Sequence, residues 1–253
     1  MELRPFYHRF AWAYDLLQSE NVSARLDFIE ASLAKLGVSR SARVLDAGCG
    51  TGRYAAGLAI RGFKAIGVDR SPELIAVAAA RDKGGPSADF IVSDLLTATC
   101  SEPFDGVVCR GVLNDFLDDA DRRSIFRQFA AWLRPGGILL FDVRLWSETV
   151  ERYAGKPVND RTVDLPDGRL RFRSNTRIDH ESLRMIVHER FDVQQNGDSV
   201  STENVFVMRP WTTEEVAGFL HSSSLQQIGT GAGYGGSDQW LDRLVVTARK
   251  LGA

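Results

Sequence analysis

The sequence predicts an α/β fold: a doubly wound, seven-stranded, mainly parallel sheet whose last strand is antiparallel, with a small antiparallel β-sheet inserted after the fifth strand. Three observations predict it. Short apolar runs alternate with helical-period segments through residues 40–145, the pattern of successive strand–helix units. The first of these runs, Val44-Leu45-Asp46, passes directly into a glycine loop, Gly48-Cys49-Gly50-Thr51-Gly52. From 146 to 210 the period changes from helical to two.

Val44 and Leu45 read as the end of a buried strand, and Arg53 to Ala59 opens an apolar-periodic helix. Between them the loop is G-x-G-x-G, in which bare backbone turns tightly and can lie against a ligand that any Cβ would strike. It lacks the G-x-G-x-x-G spacing that brings a helix N-terminus onto a pyrophosphate. Asp46 puts a carboxylate at the strand end, which suits an ammonium or sulfonium centre better than phosphates. The second run, Lys64 to Asp69, also ends in an acid. In strand–helix–strand nucleotide folds such an acid hydrogen-bonds ribose hydroxyls; capping the next helix without a ligand is the competing role for Asp69. That helix starts at Ser71-Pro72-Glu73, with a cap residue, a proline at the first position and an acid in the first turn. Its body is Leu74 to Arg81, and Gly84-Gly85-Pro86 ends it. The third run, Ala88 to Asp94, finishes on an acid again, and the fourth is Phe104 to Arg110. A helix from about Asp118 to Leu133 puts Ile125, Phe129 and Trp132 on one face. Arg134-Pro135-Gly136-Gly137 closes it, and Ile138 to Val143 is the fifth strand. Near the C-terminus Thr212 and Glu215 are spaced as a capping box, and Leu225–Thr230 and Arg243–Arg249 read as the last strands.

This series of motifs resembles the class I S-adenosylmethionine-dependent methyltransferases over residues 40–145. VLDAGCGTG matches the family's first cofactor motif, (V/I)LD-x-G-x-G-x-G, and FDGVVCR…FAAWLRPGGILLFDV matches its later motifs, where an L-(K/R)-P-G-G turn is characteristic. The resemblance implies a Rossmann-like sheet, S-adenosyl-L-methionine as cofactor, and methyl transfer to nitrogen or oxygen of a small molecule. Natural-product and sugar N-methyltransferases of this family carry a similar β-insert that roofs the substrate pocket or builds a dimer contact. Carried over residue by residue, the cofactor contacts fall on Asp46, Gly48, Gly50, Gly52, Asp69, Arg70, Asp94, Leu95, Arg110 and Tyr14, with Asp94 and Leu95 reading the adenine amino group. An RNA or protein methyltransferase, and a cofactor-binding regulatory protein without turnover, are the alternatives.

The reaction asks mainly for alignment of nucleophile, methyl carbon and sulfur, and for a general base only when the nucleophile arrives protonated. The candidate catalytic residues are Tyr14, Asn114 and Asp115. Many relatives carry a histidine near Asn114, which this chain lacks; Asp115 is left as the base, with a helix-capping role as its alternative. His180 and His188 lie in the insert, where a structural or solvent-facing role suits each. No metal is expected, because a metal-dependent site of this family wants an acid where Arg110 stands. The (D/N/S)-P-P-(Y/F/W) and Pro-Cys signatures of base-methylating relatives are missing after the fourth strand.

Composition sets outer bounds. A chain of 253 residues that is 44% hydrophobic can bury one sizeable core with a small appendage. A net charge of −2 offers no general basic face for nucleic acid. Cys49, Cys100 and Cys109 form no C-x-x-C pair, which disfavours a disulfide framework or a structural zinc. No apolar run approaches the ~18 residues of a membrane span, and no signal-peptide pattern opens the chain. The expectation is a cytoplasmic monomer or homodimer with neither nucleic acid nor membrane as partner.

Two regions outside the common core should carry substrate choice. Residues 1–37 read as an N-terminal helical lid, with Phe6, Tyr7, Phe10 and Tyr14 on one side of a helix and a second helix from about Ala24 to Leu36. In related enzymes an A-x-x-YD-x-L segment lies over the cofactor, its tyrosine near the methionine portion; packing on the sheet is the other role. Residues 146–210 read as the β-insert between core segments 38–145 and 211–253, with Pro166-Asp167-Gly168 and Asn196-Gly197-Asp198 as turns. Its arginines (169, 171, 173, 177, 184 and 190) point either to an anionic substrate or RNA, or to a solvated face; nearby acids favour the solvated face.

Overall fold

In the computed structural model, which describes residues 4–18, 20–81, 84–154, 159–234 and 243–252, strands and helices alternate as the sequence predicts. The core strands are β1 (Arg43–Ala47), β2 (Lys64–Asp69), β3 (Asp89–Val92), β4 (Phe104–Cys109) and β5 (Leu133–Arg144). Four more, β6 (Asn159–Leu165), β7 (Gly168–Asp179), β8 (Arg184–Gln195) and β9 (Asp198–Met208), precede β10 (Leu225–Ala232) and β11 (Arg243–Lys250). The helices are α1 (Val22–Lys35), α2 (Arg53–Ile60), α3 (Pro72–Ala79), α4 (Asp119–Trp132), α5 (Trp146–Tyr153) and α6 (Thr213–Ser222). The main sheet has the order β10-β11-β5-β4-β1-β2-β3. β11 is antiparallel to both neighbours and the other pairings are parallel.

Consecutive residues of the central strands serve opposite cores, because strand side chains alternate between faces. Val107, Leu139 and Phe141 pack with Ile125, Phe126 and Phe129 of α4 and with Trp211 and Phe219. Val108, Ile138 and Leu140 pack with Ile29 and Leu33 of α1 and Leu58 of α2. Both caps read from sequence are formed: Ser71 Oγ accepts from Leu74 N at 3.0 Å, and Thr212 and Glu215 close a reciprocal capping box.

The insert is a four-stranded antiparallel meander, β6-β7-β8-β9. Asn196 and Gly197 both have positive φ, as a two-residue hairpin turn requires. Four of its arginines are paired with acids on an outer, solvated face: Arg169 with Asp164, Arg171 with Asp160, Arg173 with Asp192, and Arg190 with Asp192 and Glu203. Its inner face presents Leu170, Phe172, Phe191 and Val193 to Phe6, Phe10, Ala13 and Leu17. α5, which period-two reading did not anticipate, leads into the insert.

The N-terminal segment differs from expectation. Residues 5–17 form three short 3-10 turns, Pro5–Tyr7, Ala11–Ala13 and Asp15–Leu17, and no continuous helix. The segment is moulded to the insert: this path brings the rings of Phe6 and Phe10 to 4.5 and 5.0 Å from Phe191. Trp12, in the middle turn, is 42% exposed.

Candidate active site

The glycine loop and the ends of β2 and β4 wall a cavity of about 360 Å³. Gly48, Gly50 and Gly52 all have positive φ, a backbone region that side chains strain. They do different work. A Cβ on Gly50 would meet nothing within 4 Å, so bare backbone there faces open space. A Cβ on Gly48 would fall 2.3 Å from Val112 Cγ2, and one on Gly52 2.6 Å from the Phe90 ring. Gly48 thus lets the β4 loop close over the glycine loop, and Gly52 lets α2 seat against β3. Gly52 is not on the cavity wall.

Asp69 holds the loop while facing the cavity. Gly50 N–H donates to its Oδ2 at 2.9 Å and Ser71 N–H to its Oδ1 at 3.0 Å. Burial pushes its carboxyl above the ordinary range against those bonds. Arg70, Asp94 and Leu95 lie on the same wall, with Leu74, Leu96, Val112 and Phe116 supplying apolar surface. Asp94 also turns the chain after β3, accepting from Leu96 N at 2.8 Å. Asp46 is placed elsewhere. It is 3% exposed, lies beneath the loop away from the wall, and accepts from Ala55 N at 3.1 Å. Its strand-end position aims the carboxylate at the first turn of α2, and burial pushes it up to about 7.

A second cavity, of about 280 Å³, lies between the N-terminal segment, the insert and the C-terminal ends of β4 and β5. Tyr7, Tyr14, Arg110, Gly111 and Asp115 line both cavities and so form the wall that the two spaces share. The Arg110 guanidinium stacks 3.5 Å from the Tyr54 ring centroid, pairs with Glu20 at 3.2 Å, and leaves a buried Nε without a partner. Burial pushes the Tyr14 hydroxyl and the Asp115 carboxyl upward; for Asp115, Arg4 and Arg70 oppose the shift. Gly111 N–H donates to Asp142 at 3.0 Å, which fixes the β4 loop from beneath.

Asn114 lies on neither wall. It is fully buried, and its Oδ1 accepts from Arg144 N at 3.0 Å. It ties the β4 loop to the end of β5, a positioning role for its neighbour Asp115. His180 packs against Trp146 and His188 is exposed; neither lines either of these two cavities. No cluster of metal-ligating side chains occurs among the described residues, and no helix there is long and apolar enough to cross a membrane.

The second cavity's wall was largely unread in the sequence. Arg4, Glu20, Asp142, Arg161 and Glu189 all reach it. One signal was available: Glu189 occupies an inward position of a strand whose other inward residues are Met185, Val187, Phe191 and Val193.

Residues 44–137 match the family model described as a methyltransferase domain. A putative methyltransferase of a Geobacillus strain is 34% identical over 140 residues, 54% of this chain and 57% of that protein. The chain thus spans little more than half the length of that relative. An S-adenosylmethionine-dependent methyltransferase from Clostridium acetobutylicum superposes with a TM-score of 0.79 at 19% identity, covering 96% of this chain and 98% of the other. A sugar N-methyltransferase from a Streptoalloteichus species superposes with a TM-score of 0.78 at 17% identity, covering 94% and 93%.

Proposed function

We propose that this chain, whose residues 44–137 match a methyltransferase-domain model, is a class I S-adenosylmethionine-dependent methyltransferase that binds S-adenosylmethionine in the glycine-loop cavity and methylates nitrogen or oxygen of a small molecule in the adjoining one. One observation carries the reading: two cavities, one walled by the glycine loop and one by the insert, share the wall formed by Tyr7, Tyr14, Arg110, Gly111 and Asp115. The residues present suit the cofactor. Bare backbone at Gly50 leaves room that a Cβ would take. Asp69 and Asp94 offer carboxylates for ribose hydroxyls and the adenine amino group, and Leu74, Leu95 and Leu96 an apolar slot for the ring. The unpartnered Arg110 Nε suits the carboxylate at the cofactor's amino-acid end.

When bound, the cofactor supplies a methyl group on a sulfonium, an electrophile that needs no metal. The chain's own task is alignment, dryness and a place for a proton. Tyr7 and Tyr14 cover the junction and exclude water. Asp115, facing both spaces with its carboxyl held above the ordinary range, receives the proton that an O–H or N–H nucleophile releases. Asn114, Asp142 and Gly111 hold the loop that carries it.

A small-molecule acceptor is favoured over RNA or protein by the size of the second cavity, about 280 Å³, and by the pairing of the insert's outer arginines with acids. The similarity in fold to a sugar N-methyltransferase supports the same reading. Within residues 1–37 the segment before α1 acts as the lid while α1 packs on the core, and 146–210 acts as the roof over a core of 38–145 and 211–253. The test is calorimetry with S-adenosylhomocysteine, for which a micromolar Kd, about −8 kcal/mol, is expected. No heat at millimolar ligand would refute the cofactor assignment and the function with it.

A further inference from the structure

The insert's inner face changes character along its length. Toward one end Leu170, Phe172, Phe191 and Val193 close onto the N-terminal segment. Toward the other, Ser174, Thr176 and Glu189 face the second cavity beside Val187, Phe206 and Met208. A carboxylate on that face has to be explained, since Glu189 is 4% exposed and burying an ionised group is costly unless it is paired and hydrogen-bonded. Arg4 gives half the explanation. Its Nη2 donates to Glu189 Oε1 at 2.6 Å, its Nη1 donates to the Tyr7 hydroxyl at 2.8 Å, and its guanidinium stacks 3.5 Å from the Phe206 ring centroid.

The other half is unmet. Glu189 Oε2 is buried with no donor, and Arg4 Nε is buried with no acceptor. Asn204, in register with Glu189 on β9, is a donor within the sheet that would compete for that oxygen, yet its Nδ2 also makes no bond. Both residues line the second cavity, so one ion pair on its wall holds one acceptor and one donor without partners. A hydroxyl group answers both, since it donates one hydrogen and accepts on its lone pairs. A cation would answer only the carboxylate, which Arg4 already balances, and an anion only the guanidinium.

We propose that Glu189 and Arg4 form a hydroxyl-recognition site, so that the methyl acceptor carries a hydroxyl which donates to Glu189 Oε2 and accepts from Arg4 Nε. This rests on the reading of the second cavity as the acceptor pocket. Because Arg4 also bonds Tyr7, which lies at the junction of the two cavities, the same contact would seat the N-terminal segment over the acceptor. Glu189 is thus a specificity and positioning residue, and the proton-accepting role stays with Asp115.

The experiment uses the full chain. Calorimetry with S-adenosylhomocysteine comes first; absence of binding removes the cofactor reading and this inference together. The protein saturated with S-adenosylhomocysteine is then titrated with phenol and cyclohexanol, and with their methyl ethers anisole and methoxycyclohexane, following the Met208 methyl signal by NMR. The hydroxyl probes should bind at least about tenfold more tightly than the ethers, the effect of about 1.4 kcal/mol of hydrogen bonding. Glu189→Gln has a single side-chain oxygen, which must stay on Arg4, so an N–H replaces Oε2. It should abolish the preference for hydroxyl while S-adenosylhomocysteine affinity is unchanged. Glu189→Leu should do the same if it folds, and Glu189→Gln decides if it does not. Equal affinity for hydroxyl and ether, no binding of either hydroxyl probe, or full preference retained in Glu189→Gln would each overturn the proposal. The last two outcomes would mean that the pair is structural and satisfied by a resident water.

Discussion

Three carboxylates near the glycine loop share a residue type and differ in what surrounds them. Asp69 faces the cavity and accepts from Gly50 and Ser71. Asp69→Ala removes both the loop's anchor and an acceptor for the ligand's hydroxyls, so S-adenosylhomocysteine affinity should fall by about 1–3 kcal/mol. Calorimetry in which the variant matches the parent would take Asp69 out of the site. Among the described residues Asp46 accepts only from Ala55, and burial pushes it up to about 7. The native state therefore keeps a proton that the unfolded chain releases near the ordinary carboxylate value, and stability falls as pH rises between the two. Asp46→Asn keeps the oxygen that faces Ala55 and carries no charge. Its melting temperature relative to the parent should climb from pH 4 to pH 8, and parallel profiles would contradict the assignment. Asp115, raised by burial at the junction, must lose its proton to act as a base. Transfer should accordingly increase with pH through a midpoint above the usual aspartate range. Asp115→Asn should slow transfer by about 10²–10⁴ with cofactor affinity intact; a variant at parental rate would leave the reaction without this base.

The N-terminal segment shows how an element without regular hydrogen bonding is held in place. Its aromatic side packs on the insert, and its polar side is fastened to the core. Thr51 Oγ1, in the glycine loop, donates to Asp15 at 2.6 Å, Arg81 pairs with the same carboxylate, and Ser71 Oγ donates to the Tyr7 carbonyl. Thr51 is 2% exposed, so this anchoring joins lid to cofactor loop directly. Asp15→Ala should raise hydrogen exchange and proteolysis across residues 4–18 while α2 and β1 stay protected. Unchanged exchange in the segment would show that the aromatic side alone holds it. Sequence could not reveal the three 3-10 turns. Helical spacing of Phe6, Tyr7, Phe10 and Tyr14 records which residues share a surface, and the insert's inner face decides the path that reaches it.

At the scale of the molecule, the insert and the N-terminal segment form one unit. Chain order alone suggests that excising about 160–208 spares cofactor binding, since the glycine loop, Asp69 and Asp94 all precede it. The packing argues for a partial loss. Without the insert, Phe6, Phe10 and Leu17 lose the partners that bury them, and Tyr7 and Tyr14 leave the junction. An excised chain bridged by a short Gly-Ser linker should still fold, because both faces of the main sheet are covered by other helices. It should bind S-adenosylhomocysteine about tenfold more weakly and transfer no methyl. Parental affinity in that chain would mean that the lid contributes nothing to holding the cofactor.

The sequence by itself determined the order of strands and helices, the glycine loop and the strand-end position of Asp69, while its resemblance to the methyltransferase family implied the antiparallel last strand and the wall with Arg70, Asp94 and Leu95. The elements are local: hydrophobic period, turn chemistry and strand-end position depend on neighbours a few residues away, and the parallel crossover rule orders the parallel strands. Tertiary structure alone decided the second cavity. Arg4 meets Glu189, Glu20 meets Arg25, Arg53 and Arg110, and Tyr234 meets Asp142. Most of these partners are far apart in the chain, and no period or spacing encodes such pairings. It also sorted residues that the motifs treat alike. Asp46, Gly52 and Asn114 belong to the same motif segments as Asp69, Gly50 and Asp115, yet they face the packing behind the cavity wall. A strand end or turn fixes where a residue sits, while the direction of its side chain depends on the neighbouring strands and helices that leave room for it.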